Sequence, residues 1–169
     1  MNIRKATLQD IKSIAKIYIT SWKITYSGMI AQTYLESLNT QDAENKWRHF
    51  LNQGDTILLV AETDGKVIGF IAGCRTERVA QAELYALYVD IHLKHTGIGS
   101  KLLASLGLEL KNQDIQSLIV WAMAKNINAI SYYKYKGAID YQHRINTFAD
   151  EQVEDLCLIW ENIDTIIAL

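Results

Sequence analysis

The sequence predicts an α/β protein built on a mixed sheet, and three observations predict it. Strand-like runs occur before, between and after helical ones along all 169 residues, with no internal repeat or low-complexity segment. Two of those runs meet at Asp64-Gly65, the dipeptide best suited to a tight hairpin. Another runs from Leu84 into a glycine turn and a helix, and the near-continuous apolar segment Ser117 to Met123 follows. One domain, residues 1–169, suffices at this length and can bury roughly two thirds of the unfolded surface.

Taken in order, Ile3 to Ala6 is a short strand, because Thr7 and Asp10 form a capping-box-like pair that starts a helix directly after it. Leu8, Ile11, Ile14, Ala15, Tyr18 and Trp22 then recur at helical spacing on one apolar face, with Tyr26 at its end. A second helical region covers Ala31 to Leu38 and Thr40 to Asn52, with Ala43, Trp47, Phe50 and Leu51 on one side. Thr56 to Glu62 and Lys66 to Thr76 form the hairpin; Gly69 and Gly73 inside it mark a bulge or a close backbone approach. Leu84 to Asp90 is the next strand. From Ile98 a helix continues through Leu102, Leu103, Leu106 and Leu110 to about Asn112, and it tolerates Gly107 at a cost of roughly 1 kcal/mol. After Ser117 to Met123, a strand buried on both faces, Asn126 to Lys136 reads as a loop and short helix that Gly137 caps. Strands at Ala138 to Arg144 and Val153 to Asn162 close the chain.

Composition narrows the function. Apolar residues make up 49% and the net charge is −2, which excludes a disordered tail and argues against nucleic acid as a partner. The N-terminus has no apolar signal core and no run reaches membrane-spanning length, so no membrane partner and a cytoplasmic location are expected. Cys74 and Cys157 are far apart and lack metal spacing; they read as reduced, core-filling thiols, and no metal is expected.

Against this acidic background, His92 to Lys101 carries Lys94, Lys101 and two histidines but no acid. Gly97-Ile98-Gly99 lies in that segment, at the start of a helix whose first amides and dipole favour an anion such as phosphate. It is neither a dinucleotide fingerprint, since Leu102 takes the third glycine's place, nor a Walker A loop, since only Ile98 separates the glycines. Lys94, His95, Thr96, Gly97, Ile98 and Gly99 instead resemble the Gln/Arg-x-x-Gly-x-Gly/Ala signature of the GNAT family of N-acetyltransferases. Asn126, Ala129, Tyr132, Tyr133 and Gly137 resemble its second signature, Asn-x-x-Ala-x-x-Phe-Tyr-x-x-x-Gly-Phe, with Tyr132 and Ala138 in the two Phe places.

The resemblance spans nearly the whole chain. It implies a mostly antiparallel sheet of six to seven strands with helices on both faces, in which two central parallel strands, here ending at Asp90 and Met123, splay to admit acetyl-CoA. Leu87, Tyr88 and Val89 would pair through their main chain with the pantetheine, an amide near Leu87 would meet the thioester oxygen, and Asn126 would contact the same arm. Lys94, His95, Thr96, Gly97, Ile98, Gly99 and Ser100 would hold the phosphates. Tyr133 falls in the place of the general acid. By place in the fold, Trp22, Tyr26, Glu36 and Tyr85 would line the acceptor pocket. Many relatives are homodimers, an assembly open to this chain.

Acetyl transfer to an amine asks for two proton transfers. An amine of pKa about 10 is only about a thousandth neutral at pH 7, a deficit of about 4 kcal/mol, so a base is useful. Glu83, at the start of the central strand, is the candidate base; a strand-end carboxylate with no chemical part is the alternative. Donation from Tyr133 to a thiolate of pKa near 8.5 is uphill by roughly 2 kcal/mol, within reach of a hydrogen bond. The strand Glu83 to Val89 is similar to that of bacterial polyamine acetyltransferases, which implies a small primary amine, a polyamine among them. A non-catalytic acetyl-CoA-binding module, or transfer to a protein or peptide amine, stays open; loss of Tyr133 or Glu83 would mark the former, and neither is lost.

Overall fold

A computed structural model of the protein describes residues 1–93, 96–148 and 151–168. In chain order its elements are β1 (Asn2–Lys5), α1 (Ile11–Thr25) after a short turn of 3-10 helix, α2 (Gln32–Ser37), α3 (Thr40–Leu51), β2 (Thr56–Thr63), β3 (Lys66–Arg75) and β4 (Gln81–Val89). Then come α4 (Ile98–Lys111), β5 (Ser117–Met123), α5 (Ile127–Tyr135), β6 (Ile139–Phe148), β7 (Glu151–Trp160) and α6 (Asp164–Ile167). The strands make one seven-stranded sheet in the order β1-β2-β3-β4-β5-β7-β6, in which only β4 and β5 run parallel.

Local chemistry sets the boundaries. The Asp10 carboxylate accepts from the Thr7 amide at 2.8 Å and hydroxyl at 3.0 Å, and Arg4 donates to both Asp10 and Glu62, which joins β1, β2 and the start of α1. That pairing holds the Asp10 carboxyl below its ordinary pKa. Asp64 and Gly65 both take positive φ, 50° and 73°, as the tight hairpin requires. Asn39 caps α3, Asn126 caps α5 by accepting from the Ala129 amide, and Gly137 at φ 91° ends α5.

The sheet divides the core. On one face Leu102, Leu103, Leu106 and Leu110 of α4 pack on Ile71, Leu84 and Leu118; on the other Ile11 and Ile14 of α1 and Trp47 of α3 pack on Val60, Phe70 and Ala86. Cys157 is buried, Cys74 is half-buried, and both are free. Among the described residues no helix is long and apolar enough to cross a membrane.

Four expectations change. Leu8 sits on the 3-10 turn and is 54% exposed, so the apolar face of α1 begins at Ile11. β4 starts at Gln81, three residues early, because its first half is paired on both sides. β6 continues to Phe148 beside β7, four residues past the expected end at Arg144; its pattern is polar and exposed, as befits an edge strand. The short α6 was not expected at all. It explains Gly107, where a Cβ would come within 2.9 Å of Ile167 Cγ1.

Both β3 glycines mark close approaches, Gly69 to the Tyr88 carbonyl of β4, 3.1 Å from a Cβ built there, and Gly73 to α4. A Cβ on Gly73 would lie 2.9 Å from Leu106 Cδ1, and Leu106 is fully buried and cannot yield. Gly73→Ala is therefore expected to lose about 1 to 3 kcal/mol in urea denaturation, as overpacked cores do. Adding Leu106→Val should make the pair less damaging than the sum of the single changes; simple additivity would show that the two positions do not collide.

Candidate active site

The site is built where the sheet fails to close. β4 and β5 pair only over Gln81–Leu84 and Ser117–Val120. Beyond that β4 follows β3 as far as Val89 opposite Gly69, while β5 follows β7 as far as Met123 opposite Asp155. The two strands diverge, and a cleft of about 890 Å³ opens between them. Leu87, Tyr88 and Val89 line one wall of it, and Trp121, Ala122 and Met123 the other.

A bulge decides which side chains enter. Ala86 faces Ala72 and Leu84 faces Gly73, so Tyr85 is an extra residue with no β3 partner. The alternation of β4 changes phase at that point: Leu84 belongs to the α4 side, while Ala86 and Tyr88 belong to the α1 and α3 side, where Tyr85 also stacks on Phe50 at 5.1 Å. Glu83, Tyr85, Ala86 and Tyr88 thereby all line the cleft.

At one end of the cleft is the glycine turn. Gly97 takes φ 82° and stands at the N-cap of α4 without a capping side chain, so the first-turn amides of α4 have no intrahelical acceptor. Gly97, Ile98, Gly99 and Ser100 line the cleft here, and a Cβ on Gly99 would meet only the Tyr132 hydroxyl, at 3.5 Å. The arrangement fits a phosphate group: first-turn amides at a helix N-terminus, with glycines at two of the lining positions. Thr96 turns away and donates to the Leu93 carbonyl at 2.6 Å. Lys94 and His95 lie outside the described residues.

Aromatic groups line the other end. Trp22 Nε1 donates to the Tyr88 hydroxyl at 2.9 Å, and the Tyr26 ring packs on Trp22 at 4.6 Å. Burial raises the phenols of Tyr26, Tyr88 and Tyr133 above the ordinary tyrosine pKa, and for Tyr133 the neighbouring Tyr26 and Tyr132 add to it. Burial likewise raises Glu83, against a partial pull downward from Arg144. Arg144 itself is paired with Asp155 at 3.2 Å and lies 4.0 Å over the Trp121 ring.

Of the residues singled out from sequence, the fold brings Trp22, Tyr26, Glu83, Tyr85, Leu87, Tyr88, Val89, Gly97 to Ser100, Asn126 and Tyr133 to this one cleft. Glu36 does not join them: it lies exposed on α2 and accepts from Gln32. Sequence reasoning missed Lys46, Arg144 and Asp155, which also line the cleft. Lys46 left a signal, since a lysine three residues after Ala43 and four before Phe50 shares the apolar stripe of α3. Arg144 and Asp155 left none, because only the β6–β7 register brings them together.

Residues 15–138 match the Acetyltransferase (GNAT) family. The chain belongs to this family. Among GNAT proteins it is 34% identical over 138 residues to an N-acetyltransferase of Bacillus subtilis, YuaI, covering 80% of this chain and 79% of that one. It is 27% identical over 143 residues to a spermidine N(1)-acetyltransferase of Thermoplasma acidophilum, covering 81% and 87%. In fold it is similar to the PaiA N-acetyltransferase of Thermoplasma acidophilum, solved in complex with coenzyme A, at TM-score 0.73 and 24% identity over 92% of this chain and 96% of that one. The ribosomal-protein-alanine N-acetyltransferase of Brucella melitensis superposes at TM-score 0.77 with 23% identity over 95% and 99%. The chain is thus an acyl-CoA-dependent N-acetyltransferase, and the GNAT fold accounts for the splayed strand pair.

Proposed function

We propose that the protein moves the acetyl group of acetyl-CoA to a primary amine of a small molecule held at the aromatic end of the cleft. The observation that carries this reading is that the open glycine turn, Glu83 and Tyr133 line one continuous cleft. Acetyl-CoA, when bound, supplies an activated thioester. The amides of Gly97 to Ser100 hold its phosphates, joined by Lys94, His95 and Thr96 of the same turn. The gap-facing main chain of Leu87, Tyr88 and Val89, together with Asn126, aligns the pantetheine arm. Trp22, Tyr26 and Tyr85 shape the acceptor's seat, with Glu36 outside it.

Direct attack forms the N–C bond as the C–S bond breaks. Glu83 first takes one proton from the bound ammonium, which frees the lone pair that attacks, and the second nitrogen proton leaves as the amide forms and balances the one the sulfur gains; burial brings the Glu83 pKa nearer the working pH, where a general base is most effective. Tyr133 holds its proton at all ordinary pH and donates to the departing sulfur. Because burial lifts its phenol further above the thiol, a strong hydrogen bond, and not a free tyrosinate, stabilises the sulfur. Glu83 and Tyr133 in one cleft favour catalysis over a passive acetyl-CoA-binding role. The likeness to the spermidine acetyltransferase supports a polyamine as one such amine.

Three outcomes test this reading. Gly99→Val, which puts a branched side chain into the turn, should weaken CoA binding by calorimetry at least tenfold without lowering the melting temperature; unchanged affinity in a folded variant would remove the turn from the site. Tyr133→Phe should lower kcat about 10 to 100 fold with CoA affinity little altered, as loss of a proton donor does. Glu83→Gln should lower kcat/KM most near neutrality and regain part of it near pH 9 to 10, where about a tenth to a half of an amine of pKa about 10 is already neutral. A deficit constant across pH would make Glu83 a structural residue.

A further inference from the structure

Lys46 lines the aromatic end of the cleft, and the acetyl transfer described above gives it no part. Lys46 of α3 is half-buried, and its ammonium faces a box of rings, 4.7 Å from the Tyr18 centroid, 5.2 Å from Tyr85 and 5.5 Å from Trp47. Its one hydrogen bond among the described residues is to the Tyr18 hydroxyl at 3.2 Å. Among those residues it has no carboxylate partner. A surface lysine needs none, but this one has given up much of its water, and burial lowers its pKa below that of an ordinary lysine. The rings recover only part of that loss.

The other ions at this end are accounted for differently. Arg144 and Asp155 neutralise each other. Among the described residues at this end, Lys46 and Glu83 are then opposite charges without a salt bridge, and Tyr85 links them: its ring faces the Lys46 ammonium at 5.2 Å, and burial, with Cys74 and Glu83 nearby, holds its phenol above the ordinary range. A polyamine meets this arrangement badly, since its second ammonium would compete with Lys46 for the rings and be repelled by it. An acceptor with an ammonium at one end and an anion at the other satisfies both unpaired groups.

We propose that Lys46 is the anion subsite of the acceptor pocket, so that the acceptor is a small amine that also carries a carboxylate or a phosphate. Its ammonium points to Glu83 and its anion rests on Lys46. This rests on the acetyl-transfer reading and narrows its acceptor away from simple polyamines.

The test measures thiol release with chain-matched amines: γ-aminobutyrate, aminopropyl phosphate, butylamine and putrescine. The expected order puts one of the two anionic amines at least tenfold above butylamine in kcat/KM, with putrescine no better than butylamine; the better of the two names the anion. Lys46→Met, which keeps the apolar stem, should collapse the ratio of anionic amine to butylamine tenfold or more, mainly through KM, and Lys46→Arg should preserve it. Putrescine or butylamine as the best substrate would overturn the proposal, as would a Lys46→Met ratio equal to wild type. Calorimetry of the same amines on the CoA-loaded protein separates the two readings. Lys46-dependent binding of the anionic amine without thiol release would uphold the subsite and sink the transfer, whereas thiol release from all amines alike would do the reverse.

Discussion

The pairing of β4 with β5 ends early, and the cleft exists because it does. Two parallel strands that part after Leu84 and Val120 leave main-chain donors and acceptors facing a gap, and such groups are costly inside a protein unless something pairs with them. The parting is stable because each strand keeps an antiparallel neighbour on its other side, β3 for β4 and β7 for β5. The sheet therefore stays whole while its centre presents a ready polar edge, which an extended ligand can fill as an added strand would.

The Tyr85 bulge belongs to the same constraint. Without the extra residue, strict alternation would send Tyr85 and Leu87 to one face and Ala86 and Tyr88 to the other. With it, Tyr85, Ala86 and Tyr88 share the face of α1 and α3, and the aromatic end of the cleft gains its wall. Burial among these aromatic walls then acts on several of the ionisable groups. It raises Glu83 and the phenols and lowers Lys46, in each case against the charged form, so the site favours neutral groups and strengthens any ion pair a ligand completes.

Much of this was legible in the chain. The hairpin at Asp64-Gly65, the capping pair Thr7 and Asp10, the cap at Gly137 and the close-approach glycines of β3 rest on backbone rules that hold wherever those residues stand. The family, too, was readable, because Gly97, Gly99, Asn126 and Tyr133 stand where its two signatures have them. The length of β6 and the existence of α6 were not, since each depends on a partner distant in sequence: β7 beside β6, and Gly107 beneath α6.

From the chain alone came the order of the strands and helices up to β7, the glycine turn before α4 and the acid and base candidates, because spacing, glycine freedom and side-chain chemistry are local properties. Tertiary structure alone decided which of those residues meet. Where β4 leaves β5, the phase change at Tyr85, the pairing of Arg144 with Asp155 and the burial of Lys46 among aromatic rings all follow from register and packing between elements far apart in the chain. A one-residue shift in any of those registers would turn the same side chains to the opposite face.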